Sequence, residues 1–164
     1  MSTRVTTYSR MSLEAVLQPA APFSGSISLP LSSERQFGHG TGSYQADRAY
    51  LVEMDVDDTG TELDLKTATD ELGVALGLAE VVALSFVTAE DNTSTVEITG
   101  GSSNKWEALM LATGDGLKLG AGVRLQVEAP LDGILPVTGS AKTILFAATS
   151  GTQHIDVLIV GRSQ

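Results

Sequence analysis

Apolar side chains recur at every second position in a series of short runs. Outside the first fifty residues, no window holds a 3.6-residue period over the roughly 10–15 residues that a crossover helix requires. Tyr50, Val52, Met54 and Val56 alternate with Leu51, Glu53 and Asp55, the pattern of a strand with one wet face. Asp57-Asp58-Thr59-Gly60 then supplies turn chemistry, and Leu63 and Leu65 resume the alternation, so the spacing predicts a hairpin. Thr69-Asp70-Glu71-Leu72-Gly73 reads as one capped helical turn before the extended run Val74, Leu76, Leu78. Glu80 to Thr88, rich in Val, Leu and Phe and bounded by Glu90-Asp91-Asn92, reads as a buried central strand.

The second half repeats the style. Val96 and Ile98 make a short strand closed by Gly100-Gly101-Ser102-Ser103-Asn104, whose residues tolerate positive φ. In Trp106 to Leu111, Trp106, Leu109 and Met110 fit helical spacing, but Lys105 to Thr113 is too short to settle the element. Leu117 and Leu119 lead through Gly120-Ala121-Gly122 into Val123, Leu125 and Val127, and Pro130 ends the run. Thr143 to Ala147 and His154 to Val160 flank Thr149-Ser150-Gly151-Thr152, which predicts a C-terminal hairpin with its second strand central in a sheet. Roughly seven to nine short strands with turn signals about every 8–12 residues predict an all-β fold: an antiparallel sandwich, jelly roll or barrel.

Charge divides the chain. Residues 1–50 carry Arg4, Arg10, Arg35 and Arg48 against Glu14, Glu34 and Asp47, whereas the remainder holds seventeen acids and six bases, for a net charge of −10. Nucleic acid is thereby excluded as a primary partner, because neutralising phosphates takes clustered Lys and Arg. A neutral, Ser- and Pro-bearing leader before an acidic stretch predicts an extended N-terminal arm or docking segment over 1–48 and a β-sandwich body over 49–164. Within the arm, Met11, Leu13, Val16 and Leu17 stand at mixed spacing, so Ser9 to Leu17 fits helix or strand. Pro19, Pro22 and Pro30 keep the following stretch from being a central strand. Met1 to Arg10 lacks the apolar run of a secretory signal. The longest apolar stretch, Val81 to Val87, falls far short of the about 20 residues that span a bilayer, so no membrane partner is expected. With no cysteine, disulfides, Cys-ligated zinc and thiol catalysis are all out.

Several motifs touch chemistry without completing it. Asp55-x-Asp57-x-Thr59-Gly60 opens like a calcium loop, but Lys66 stands where a bidentate Glu is needed. Gly38-His39-Gly40-Thr41-Gly42 lacks the strand, helix and lysine of a phosphate cradle and reads as a loop. Ser102-x-x-Lys105 has none of its companion motifs. His39 and His154 lie far apart in sequence, and Asn92-Thr93-Ser94 is a glycosylation acceptor only in a secreted eukaryotic chain. Trp106 beside Asn104 suits a sugar platform, yet its neighbours Leu109, Met110 and Leu111 favour core or subunit contact. No catalytic residue, metal ligand or cofactor is predicted.

The segment Gly40-Thr41-Gly42-Ser43-Tyr44-Gln45-Ala46-Asp47-Arg48 is followed in order by Leu63-Asp64-Leu65, the Thr69 to Gly73 turn and the Gly100 to Asn104 loop. Ile155-Asp156-Val157-Leu158-Ile159-Val160-Gly161-Arg162 closes the series. In this order the pieces resemble small all-β virion proteins of tailed bacteriophages, of the kind encoded among head-assembly genes, over about residues 36–162. The resemblance implies a structural, non-enzymatic virion component such as a capsid decoration or cement subunit, assembled in the host bacterial cytoplasm. Its implied partners are the major capsid protein, other virion subunits and further copies of itself. On that reading the arm adds to a neighbour, exchanging an ordering cost for main-chain hydrogen bonds. Arg4, Arg10, Arg35 and Arg48 are then candidates for intersubunit pairing, with Trp106 as a further contact. The alternative is a carbohydrate- or receptor-binding sandwich from a tail or fibre. An enzyme would require a pocket that brings His39 or His154 beside a carboxylate.

Overall fold

The structure, a computed structural model, describes residues 5–17, 25–69, 73–110, 112 and 114–163, with side chains from residue 37 onward. No helix occurs among the described residues. The strands are β1 (Val5–Leu17), β2 (Gly25–His39), β3 (Gln45–Ala46), β4 (Arg48–Val56), β5 (Thr61–Asp64), β6 (Leu78–Thr88), β7 (Val96–Gly100), β8 (Gly116–Leu119), β9 (Arg124–Glu128), β10 (Thr143–Ala148) and β11 (Gln153–Ser163). From β4 onward they form two four-stranded antiparallel sheets, β4-β11-β6-β9 and β5-β10-β7-β8, packed face to face.

The pairing is nested. β7 pairs β8, β6 pairs β9, β5 pairs β10 and β4 pairs β11, so the chain runs out and back as one long ribbon rolled into two layers. That is the jelly-roll solution to the edge-strand problem. Two expected pairings are corrected by it. The turn at 57–60 does not close a hairpin, because β4 and β5 lie in opposite sheets. The turn at 149–152 likewise carries the chain from β10 in one sheet to β11 in the other. Period two determines which residues share a face, and a short turn crosses the gap of about 10 Å between sheets as readily as it closes a ladder.

The strands themselves lie where the alternation places them. In β4, Ala49, Leu51, Glu53 and Asp55 are exposed while Tyr50, Val52 and Met54 turn toward the core. β6 and β11 are interior to their sheet. Between the layers, Phe86 of β6 meets Phe146 of β10 edge to face, with ring centroids 5.6 Å apart. Such contacts add to the area the rings bury. Asn104 takes the positive φ expected of its loop, and its carbonyl accepts from the amides of Lys142 and Thr143. In residues 105–110 Lys105 is bridged to Thr143 and residues 108–109 form a turn, so the open choice there resolves to neither helix nor strand. Leu111 lies outside the described residues. So do residues 70–72 of the expected helical turn, on either side of which Thr69 bridges Ala75.

In the arm, Ser9 to Leu17 is strand. β1 and β2 form an antiparallel ribbon from Val5 opposite Phe37 to Leu17 opposite Gly25. β2 has β1 on one side and meets β3 on the other only at Gly38 and His39. Pro30, opposite Ser12, therefore sits where a missing N–H costs no second ladder. Pro19 and Pro22 lie outside the described residues.

A bulge in β6 fixes where its charged end lies. Val160 of β11 faces Ala83, Gly161 faces Val81, and Val82 is the extra residue. Strict alternation from the inward-facing Leu84 would send Glu80 into the core. The bulge reverses the parity, so that Val81 joins the main core, Val82 joins a second apolar cluster on the outer face, and Glu80 comes opposite Arg162. Gly161 is needed at this crossing because a Cβ there would meet the Glu80 carbonyl oxygen at 2.5 Å.

Candidate interaction site at the ribbon root

Glu80 and Arg162 are an acid and a base inside otherwise apolar strands, and both are buried. The Arg162 guanidinium donates from Nη1 to Glu80 Oε2 at 2.6 Å and to the carboxylate of Asp132. Its Nε donates to the Gln45 carbonyl at 3.0 Å and its Nη2 to the Pro130 carbonyl at 2.6 Å. The second oxygen of Glu80 accepts the Ile134 amide at 2.9 Å. A planar fork of donors suits this convergence of carboxylates and carbonyls, and burial of the charges is tolerable because they are paired and hydrogen-bonded.

This cluster ties the ribbon to the jelly roll. Gln45 belongs to β3, and the loop after β9 supplies Pro130 and Asp132. The Tyr44 amide donates to Pro130 O at 2.8 Å, and the carboxylate of Asp47 accepts from the amide and hydroxyl of Ser163. Alongside, Phe37 and Ala46 pack on Val82, Ala83 and Val160, forming an apolar cluster on the outside of the sheet. β6 is consequently buried on both faces from Glu80 to Leu84. The continuous apolar run Val81 to Leu84 was the sequence signal for this second layer. Glu80 and Arg162 at the ends of such runs marked the ion pair, although sequence reasoning assigned neither a role.

The residues singled out from the sequence fare differently. Arg48 is partly buried and bonds within the chain, from Nη1 to the Asp47 carbonyl at 3.1 Å, with the Asp47 carboxylate at 3.5 Å. Arg10 and Arg35 stand on β1 and β2, opposite Ser32 and Thr7, with side chains outside the described residues; Arg4 lies outside them altogether. Trp106 is 2 % exposed in the main core and donates from Nε1 to the Pro136 carbonyl at 2.9 Å. As a surface contact it is corrected: a ring enclosed by its own chain offers no face to a sugar or a neighbouring subunit.

No family model, curated protein or solved structure matches the chain.

Other candidate motifs resolve into local structure. In the Gly38 to Gly42 loop the amides are spent internally: Gly38 donates to Tyr44 O, Gly40 to Ala46 O and Gly42 to Gln45 Oε1. Asp57 Oδ1 accepts the amide and hydroxyl of Thr59, which makes the calcium-like segment an Asx turn and holds this carboxyl below its usual range. Asn92 exchanges two 2.8 Å bonds with the backbone of His154, so its side-chain amide is already engaged. The Ser102 amide donates to Glu62.

His39 is exposed at the end of β2. His154 does stand beside carboxylates, on the open outer face of β4 and β11. Its Nδ1 lies 2.9 Å from Asp55 Oδ1 and its Nε2 3.1 Å from Asp156 Oδ1, with Glu53 beside them. The bond to Asp55 is the leading cause that raises the imidazole pKa above its ordinary value. Partial burial opposes it, and the bond to Asp156 adds to it. The resulting stabilisation is present in full below the ordinary imidazole pKa and fades as pH rises through the raised folded value. With the ring 41 % exposed, solvent screening leaves it at roughly a few tenths of a kcal/mol. In an NMR titration the His154 midpoint is expected above that of a free imidazole and lower in Asp55→Asn. An unshifted midpoint in the native chain would contradict this geometry.

Proposed function

We propose that the protein is a structural component of a bacteriophage virion, a head-decoration or cement subunit that works by contact rather than catalysis. Its partners on this reading are the major capsid protein or another virion subunit, together with further copies of itself. The observation that carries the reading is the β1–β2 ribbon, strands of 13 and 15 residues that, among the described residues, pair with each other and, beyond them, with β3 alone. Its root is anchored by a buried guanidinium, and an anchored ribbon suits transmission of a docking contact to a rigid body. The jelly roll supports the reading in a general way, since capsid and lectin domains use it, but a fold hosts many functions. The sequence resemblance to phage head proteins narrows the choice. The carbohydrate-binding alternative rested on Trp106, whose burial removes its platform.

Deleting residues 1–35 tests the proposal. The shortened chain is expected to keep the body's thermal transition while losing co-sedimentation with phage particles that lack the native subunit. Equal binding by the full and shortened chains would overturn it.

A further inference from the structure

Register gathers four ionisable side chains on the open outer face of β4 and β11. Glu53 stands directly opposite Asp156, and Asp55 directly opposite His154. Alternation brings all four to the same face as two neighbouring cross-strand pairs. Like charges in opposed positions destabilise a ladder, yet Glu53 and Asp156 are opposed in this way. Among the described residues, none of the three carboxylates forms an ion pair with Lys or Arg; Asp55 and Asp156 meet the His154 ring instead.

The imidazole sorts these groups into two roles. Donor atoms of Glu53, His154 and Asp156 all lie within 4.8 Å of one another, and Nε2 of the ring stands 3.1 Å from Asp156 Oδ1. A tetrahedral ion with ligand bonds of about 2.0–2.1 Å holds its donors about 3.3 Å apart, so small side-chain rotations close the three around a common centre. Asp55 falls outside that triad and takes the other ring nitrogen, with Oδ1 2.9 Å from Nδ1. A proton held on Nδ1 by a carboxylate leaves the Nε2 lone pair free and fixes the ring's direction, which is how metal-bound histidines are ordinarily supported. The His154 and Asp156 side chains are 41 % and 45 % exposed, which leaves room for water on the ion. One imidazole with two carboxylates suits zinc, whereas calcium takes an all-oxygen shell of about six to eight ligands.

We propose that Glu53, His154 and Asp156 form a binding site for a zinc-class divalent cation. His154 Nε2 and one oxygen of each carboxylate are the ligands, water completes the shell, and Asp55 is a positioning residue. The ion pins β4, an edge strand of its sheet, to β11 and offsets the opposed charges. This site goes beyond the virion reading and is a property of the single chain, so it stands or falls independently of particle binding.

Titrating zinc into the untagged full chain at neutral pH tests it, by calorimetry and by NMR of the imidazole nitrogens. The expected result is one zinc per chain with micromolar affinity, the His154 Nε2 resonance displaced and those of the exposed His39 unmoved. Calcium at the same concentration should displace neither. Glu53→Gln with Asp156→Asn should weaken zinc binding more than about tenfold. Glu62→Gln with Glu97→Gln removes the same two charges from the other sheet and should bind as the native chain does. Asp55→Ala should bind about 10–100-fold more weakly and lose the fixed Nδ1–H tautomer, a signature that loosening of the fold alone would not give. Thermal midpoints without zinc should stay close to native in every variant, since the substituted side chains lie on the surface. Absence of zinc uptake by the native chain, equal displacement of His39 and His154, or equal weakening in the Glu62 and Glu97 variant overturns the inference. Displacement of His154 by calcium as readily as by zinc overturns it too.

Discussion

Arg162→Ala is expected to lower the thermal midpoint by roughly 6–20 °C. Removing one partner of a buried ion pair costs about 3–5 kcal/mol, because the other charge stays behind uncompensated, and in a domain of this size each kcal/mol shifts the midpoint by about 2–4 °C. Here the stranded groups are the Glu80 carboxylate and the carbonyls of Gln45 and Pro130. The double variant Arg162→Met with Glu80→Met should regain much of the loss, since it leaves no orphaned charge in the apolar surroundings. The damage should also be local. Hydrogen exchange at residues 44–47 is expected to speed up more than exchange in β10, because Arg162 ties Gln45 to the sheet. A midpoint within about 1 °C of the native chain, a small fraction of what such a loss implies, would mean that Arg162 is not enclosed and paired as described.

Trp106→Ala is expected to cost about 3–5 kcal/mol in urea unfolding followed by circular dichroism, the range for emptying a large aromatic site in a core. Trp106→Phe should cost less, about 1–3 kcal/mol, by keeping most of the packing while leaving the Pro136 carbonyl without its donor. The ordering Ala worse than Phe worse than native is the informative part. A neutral Trp106→Ala would return the ring to the surface and revive a role in recognition. Because the chain has one tryptophan, the native emission spectrum reports the same site directly and should be that of a buried indole.

Much of the local structure was legible because it depends on near neighbours. The alternation of Tyr50, Val52, Met54 and Val56 marks β4, the turn residues at 57–60 end it, and the aliphatic run Ile155 to Val160 marks a strand buried in mid-sheet. The ribbon was harder to read. Met11, Leu13 and Leu17 alternate, but Val16 breaks the pattern, and only pairing with Ile27, Leu29 and Leu31 shows which positions belong to one face. Trp106 could not be assigned between core and surface, since its flanking sequence suits both and only the loop that brings Pro136 to its indole nitrogen decides. The ion pair was hidden for a similar reason: Glu80 and Arg162 are 82 positions apart, and no local pattern couples them.

The all-β character of the chain, the limits of most body strands and the concentration of charge after the first fifty residues were all readable without coordinates. These follow from side-chain periodicity and turn chemistry, which act over a few residues. Which strands lie side by side came from the folded chain, which sends β4 and β5, and β10 and β11, to opposite sheets. It also decided that a bulge at Val82 turns Glu80 out of the core to meet Arg162. Pairing and parity depend on contacts between segments distant in sequence, where burial of the whole layer outweighs the preference of any one turn.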